Sequence, residues 1–553
     1  MLALLSFVAV ASAAACTPTY NSSPTAIIDS GAIVGTTTEI SLSSATATVN
    51  KFLGIPFAEK PERFRLPEPV KPWADPLDAS QHGPACYQQL TDAVAQFYEG
   101  VGLGEVPNGE SEDCLSVNVY TPSTASAGSK AVLVWIYGGS WQNGANSLPL
   151  YDGSKLVANQ DVVLVSINYR TNVFGFPASE SLPLEERNLA FYDTRLALDW
   201  VQRNIASLGG DPRRVTVVGE SGGSSIIDAL LTAPPHPLPF HAAIMTSSQI
   251  SVPASPKTPS AYIAAWEALA EAAGCPDVEA AFDCLSEHPA QDLVNLVTNN
   301  SLSFSAFPDG GVTLADNPRL DRLAGKTAPV PVVIGTTADE ASPFVIGLNL
   351  NDTRAALETL GLDSDLADTL VEAYPLGTPG ILTEGARINR IATEFLMQCP
   401  TQVHANDTKN LDYGSWRFYF NASFPNTEFL PGVGAYHASE IAFFFGTYRD
   451  QGATPFQAEV SNALQTAYAD FAKNPSAGPG WPQVPTIGVF GGGVRPGINE
   501  EGLKALTTIP SEVLDVRCPL YRPVYDALSL TPWEEQPAAQ EETGPSVDSG
   551  IPF

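Results

Sequence analysis

Five short runs of mostly apolar residues punctuate the middle of the chain, at 131–137, 161–168, 214–218, 242–246 and 330–335. Their apolar positions are consecutive rather than alternating, which is how strands read when both faces of a sheet are covered. Apolar residues at helical spacing fill the stretches between them, as at 188–205 and 225–231. Strand and helix in alternation predict an α/β architecture: a large, mostly parallel central sheet flanked by helices, with right-handed connections. Helical periodicity returns at 355–373, 383–403 and 456–472, and these segments are expected to be insertions packed around the mouth of the sheet. No internal repeat or strong linker divides the chain, so residues 16–531 are expected to form one domain. The last stretch, 532–553, is rich in Pro, Glu, Gln, Gly and Ser and predicts a disordered acidic tail, because it has too little apolar surface to offset chain entropy.

The opening of the chain adds the expectation of export. Residues 2–10 are apolar and are followed by small residues, the layout of a signal peptide's core and cleavage site, so 1–15 is expected to be removed on secretion. No later run is long enough to cross a bilayer, and no stable membrane anchor is expected. Glycosylation sequons at Asn21, Asn299, Asn351, Asn406 and Asn421 agree collectively with a secretory route to the extracellular space. The seven cysteines are too scattered for a zinc site, and in an oxidising compartment disulfides are the default. The 60 acidic against 28 basic side chains give a net charge of -32, which repels nucleic acid and anionic surfaces.

Candidate chemistry centres on the pentapeptide Gly219-Glu220-Ser221-Gly222-Gly223, set between a strand pattern and a helix pattern. That context makes Ser221 the nucleophile of a strand–turn–helix elbow, in which small flanking residues let the backbone approach itself. A serine hydroxyl needs a base, and the base a third group that sets its tautomer. Among the histidines, His404 and His437 follow plausible acids in the order this fold uses. His404 lies in a helix pattern, where a packed histidine is the plainer reading; His437 lies in a glycine-bearing loop before an apolar run. The acid should leave the end of a later strand, where 331–343 offers both Asp339 and Glu340, and spacing alone leaves the two open. Backbone donors for an oxyanion are expected from Gly222 and, at the end of the 131–137 strand, from Gly139 and Ser140. No metal or nucleotide motif is present, so no cofactor is expected.

With these residues in place, the chain strongly resembles the type-B carboxylesterase/lipase family, which includes cholinesterases and fungal lipases, over about 27–528. The resemblance is carried by 51–73, by 112–122 and by 208–223, the last with Leu208 where the family usually has phenylalanine. It implies an α/β-hydrolase fold with helical insertions around the active-site mouth, and a small-molecule ester as substrate. It implies Glu340 rather than Asp339 as the acid and His437 as the base, with Glu440 and Gly446 completing the motif. Ser140 stands in place of a usual glycine and Gly222 in place of a usual alanine; both changes keep the backbone donor. The family's disulfides map onto Cys86 with Cys114, Cys275 with Cys284, and Cys399 with Cys518, leaving Cys16 over. Arg63 and Glu112 resemble a buried ion pair at the base of the first disulfide loop.

That loop, 86–114, lies beside the entrance in the family and here contains no tryptophan. A quaternary ammonium needs an aromatic face, best supplied by tryptophan, so choline esters are not the expected substrates. Leu90, Val94, Phe97, Tyr98, Val101 and Leu103 make the loop apolar enough to cover the hydrophobic part of an ester. A secreted carboxylesterase working through an acyl-enzyme is therefore the leading expectation, with a lipase or sterol esterase as the alternative. A catalytically inactive, cholinesterase-like binding protein is the rival from another class, and the intact Ser221, Glu340 and His437 set argues against it.

Overall fold

The computed structural model describes residues 23–530, apart from 43–44, 102–103, 254–258, 276, 278–279 and 361. The expected leader (1–15), Cys16, Asn21, Leu103 and the tail (532–553) lie outside the described residues. Fourteen strands are present among those described: β1 Thr25–Ile28, β2 Gly31–Val34, β3 Thr36–Ser41, β4 Thr46–Pro56, β5 Leu77–Asp78, β6 Ser116–Pro122, β7 Lys130–Ile136, β8 Val163–Ile167, β9 Gly210–Glu220, β10 Ala242–Thr246, β11 Val332–Thr337, β12 Ser415–Phe420, β13 Thr486–Phe490 and β14 Leu506–Pro510. Eleven of them make one sheet in the order β14-β13-β12-β11-β10-β9-β7-β8-β6-β4-β3, parallel from β8 through β13 and antiparallel at both ends. The α/β-hydrolase architecture expected from the sequence is the one present.

The five apolar runs became β7 to β11, and every residue of β8, β10 and β11 is buried. The outer strands were not legible in the same way. In β4 the sequence TATVNKFLGIP is half solvated, and β3 alternates partly exposed positions without a buried one. In β12 a charged residue interrupts the apolar run: Arg417 is buried because Asp515 accepts from both its terminal nitrogens.

Several helix expectations are corrected in detail. The 355–373 pattern is two helices, Thr353–Thr359 and Ser364–Ala373, the second started by Asp363, whose carboxylate accepts from Leu366 N at 2.9 Å. The 383–403 pattern runs as Glu384–Thr393 and Cys399–Lys409 joined through a π turn at Glu394–Gln398. The third segment, Pro455–Lys473, does not sit at the mouth; it packs against β7, β9 and β13 beside the apolar helix Ile441–Phe445. Nineteen residues with a continuous apolar stripe find their largest buried surface on the sheet face itself.

Disulfides join Cys86 to Cys114, Cys275 to Cys284 and Cys399 to Cys518. Arg63 and Glu112 form a two-pronged pair, Nε to Oε1 at 2.7 Å and Nη2 to Oε2 at 2.8 Å, but their side chains are 11% and 20% exposed. The pair is part-buried rather than buried, and its rupture costs less than a buried pair would. His404 is fully buried, its Nε2 3.1 Å from Asp228 Oδ1, in a network that also holds Arg322 and Ser251. Asn299, Asn351 and Asn406 are exposed; Asn421 is half-buried and its Oδ1 accepts from Arg495 Nη2 at 2.8 Å. No helix among the described residues is long and apolar enough to cross a membrane.

Candidate active site

The register of three neighbouring strands sets the site. Thr246 pairs with Glu220 on one side and with Gly335 on the other, so β9 and β10 end level and β11 runs two residues further. Ser221 follows β9 directly, Ser247 follows β10, and Glu340 lies three residues past β11. Ser221 adopts φ 52° and ψ -125°, a strained conformation for a side-chain-bearing residue, between β9 and the helix Gly222–Thr232. The turn tolerates this because its backbone folds onto itself: a Cβ on Gly219 would lie 2.6 Å from Gly223 C. Ser221 N donates to Thr246 O at 2.9 Å, which holds this turn against β10.

Glu340 is fully buried and each of its oxygens is engaged. Oε1 accepts from Ser247 Oγ at 2.6 Å and Thr337 N at 2.7 Å, and Oε2 meets His437 Nδ1 at 2.7 Å. Asp339 faces elsewhere: its Oδ2 accepts from Ala435 N and from Arg495 Nη2, each at 2.9 Å. The neighbouring carboxylates thus do different work, one meeting the imidazole and the other tying down the loop that carries it. With Nδ1–H donating to Glu340, the other ring nitrogen is left to take a proton.

Two residues that sequence reasoning had given no charge role surround that imidazole. Glu220, the residue before the serine, places Oε1 3.1 Å from His437 Nε2, and Glu440 is buried with neither oxygen hydrogen-bonded. Burial alone would lower the His437 pKa, but the charges of Glu220, Glu340 and Glu440 and the Glu340 hydrogen bond together push it up to about 9. Burial lifts the Glu220 carboxyl to about 7, and burial together with Glu220 and Glu340 lifts Glu440 well above the usual carboxylate range. These groups share protons across a small volume, so no one of them titrates by itself. Only proximity in space marks Glu220, since in sequence it is the variable position of a common pentapeptide.

Gly139, Ser140 and Trp141 turn sharply after β7, with φ 101°, 53° and 65°. A Cβ added to Gly222 would stand 3.2 Å from both Ser140 N and Trp141 N, so the turn after β7 closes on the turn that carries Ser221. Trp141, not singled out in the sequence, donates Nε1–H to Gly222 O at 2.8 Å and braces the two segments together.

Above these groups lies a cavity of about 290 Å³ reaching Ser221 and His437. Of the loop residues expected to cover it, Val94, Phe97, Tyr98 and Val101 do line it, from the helix Asp92–Val101. Leu90 does not, and it is 39% exposed. Phe344, Phe429 and Tyr436 line it as well. A serine beside an imidazole paired to a buried carboxylate, on the floor of an apolar cavity, is equipped for acyl transfer.

This combination of fold and site defines a serine carboxylic ester hydrolase. The chain belongs to the carboxylesterase family, whose model matches residues 22–487. It is 32% identical over 470 residues to an acetylcholinesterase of Bungarus fasciatus, covering 79% of this chain and 77% of that one. It is 33% identical over 453 residues to a para-nitrobenzyl esterase of Bacillus subtilis (strain 168), covering 77% and 87%. A cholinesterase of Mus musculus is 30% identical over 465 residues, covering 78% and 76%.

Proposed function

We propose that this protein is a secreted carboxylesterase, a single catalytic domain over 16–531, with Ser221 as nucleophile, His437 as base and Glu340 as acid. Ser221 Oγ attacks the ester carbonyl carbon as its proton passes to His437 Nε2. The carbonyl electron pair moves onto its oxygen, which the N–H groups of Gly139, Ser140 and Gly222 receive. Collapse expels the alcohol, which takes the proton from Nε2. Water then repeats the sequence on the acyl-serine, releasing the carboxylic acid and restoring Ser221. Glu340 holds the tautomer and balances the imidazolium, with no metal or organic cofactor needed.

The observation that carries this reading is the 2.7 Å contact of His437 Nδ1 with Glu340 Oε2 beside the strained Ser221 turn. A fluorophosphonate should label Ser221, and Ser221→Ala should lower kcat by about 10⁴ to 10⁶ while the fold is kept. Near-normal turnover in that variant refutes the assignment.

Apolar walls and the absence of tryptophan from 86–114 support uncharged esters as substrates, rather than the choline esters of the named cholinesterase relatives. The apolar rim, where Ile346 and Leu430 are each 47% exposed, supports a lipase or sterol esterase as the second reading. Turnover across p-nitrophenyl esters of rising chain length, with emulsified triglyceride alongside, separates the two. Export is supported by the leader pattern, the three disulfides and the exposed sequons Asn299, Asn351 and Asn406.

A further inference from the structure

The oxyanion turn is strained, and part of what restrains it comes from the helix over the cavity. Ser140 and Trp141 both carry side chains at positive φ, a state that persists only where the surroundings over-determine it. Gln142 N and Asn143 N both donate to Gly139 O, at 2.9 and 3.2 Å, closing the turn on itself. Outside support begins at the segment just past Cys86. Gln89 N donates to Gln142 O at 2.8 Å, and Gly144 N to Gln88 Oε1 at 2.9 Å. Asn172 N donates to Trp141 O at 2.6 Å and Gln142 Nε2 to Phe304 O, and the Asn143 side chain, 1% exposed, carries the link to the helix over the cavity. Its Nδ2 faces Gln89 O at 3.4 Å, and its Oδ1 accepts the hydroxyl proton of Tyr98.

Tyr98 sits on the helix Asp92–Val101, inside the loop closed by Cys86 and Cys114. The helix is otherwise seated by apolar contacts: Phe97 meets Phe429 at 5.3 Å and Tyr436 at 6.3 Å, ring centre to ring centre. Those contacts slide readily, whereas a buried hydroxyl bonded to a buried amide has one geometry. Burial and the neighbouring Glu220 also keep the Tyr98 hydroxyl protonated, so it remains a donor.

We propose that Tyr98 is a positioning residue: by gripping Asn143 it holds the strained turn whose N–H groups meet the oxyanion. The seated helix therefore both covers the substrate and completes the oxyanion site, and a lifted helix leaves the triad intact with its donors slack. This rests on the reading of Gly139 and Ser140 as oxyanion donors.

The test is Tyr98→Phe, which keeps the ring and removes the grip. With p-nitrophenyl butyrate, kcat should fall about 10 to 100-fold, the scale of a small misplacement at the reacting centre, with KM changed less than about 2-fold. Affinity for a trifluoromethyl ketone, which forms an oxyanion adduct on the serine, should fall by the same factor as kcat. Asn143→Ala should match it, and the double variant should lose no more than either single one. Phe97→Ala loosens the helix while keeping the hydroxyl contact, and should act mainly on KM. Thermal stability of Tyr98→Phe is measured alongside. Wild-type kcat and ketone affinity in a folded Tyr98→Phe overturn the proposal, as does a change confined to KM like that of Phe97→Ala. Either result leaves the esterase reading standing, since that is decided separately by Ser221→Ala.

Discussion

Replacing Glu220 by glutamine should move the pH profile of this enzyme, because the carboxylate faces the nitrogen that receives the serine proton in the mechanism proposed above. Glu220 Oε1 lies 3.1 Å from His437 Nε2. At an effective dielectric of about 20, a full charge at that distance favours the imidazolium by about 5 kcal/mol, or about 4 pK units. The realised effect is smaller, because Glu220 itself holds a proton up to about 7 and burial opposes the charged ring. The net rise of His437 from 6.5 to about 9 is what Glu220, Glu340 and Glu440 leave together once they have offset burial. Since the base acts only when neutral, a raised pKa delays activity to higher pH. The acid limb of kcat/KM in the wild-type enzyme should therefore lie above the usual imidazole value of about 6.5. In Glu220→Gln it should fall by about one to two pH units, well below the full-charge figure, because Glu340 and Glu440 still face the ring. Profiles from pH 5 to 10 with one soluble ester measure both limbs. An unchanged limb in the variant, or one displaced upward, would refute the claim that Glu220 sets the proton affinity of His437.

Glu340→Gln should keep the fold and cut kcat by about 10³ to 10⁴, since a neutral amide stabilises the imidazolium poorly; Asp339→Asn should cost less and act through the loop it holds, which steady-state kinetics on both variants will show. Removing Arg322 strands Asp228 in the core and should cost about 3 to 5 kcal/mol in urea unfolding. Burial favours the neutral form of Asp228, yet Arg322 and His404 hold its carboxyl well below the usual range, so the folded state binds fewer protons there. That stabilisation is present above about pH 4 and is lost as pH falls further, and melting curves from pH 7 to 2.5 should show a loss that Asp228→Asn flattens. Replacing Cys86 and Cys114 by serine opens a loop of sequence separation 28 and should cost about 3.5 kcal/mol. The same variant should raise KM, because the helix over the cavity rides in that loop.

The sequence by itself determined the centre of this protein. Strands buried on both faces must be apolar at every position, so β7 to β11 were visible as runs, and the small residues around Ser221 marked a turn that larger ones cannot make. It also narrowed the base to His437, since a histidine in a helix pattern, such as His404, reads as packed and is found fully buried in the core. Asp339 and Glu340 were equivalent by spacing, and the resemblance rather than the residues separated them. Tertiary structure distinguishes them physically: Glu340 points to His437, and Asp339 to Ala435 and Arg495. The edge strands stayed hidden because their partners, not their composition, make them strands. The charge that Glu220 brings to His437 and the bond between Tyr98 and Asn143 were hidden for a related reason. A buried charge or a single hydrogen bond takes its meaning from what stands opposite it, and those partners lie 217 residues away for Glu220 and His437, and 45 for Tyr98 and Asn143.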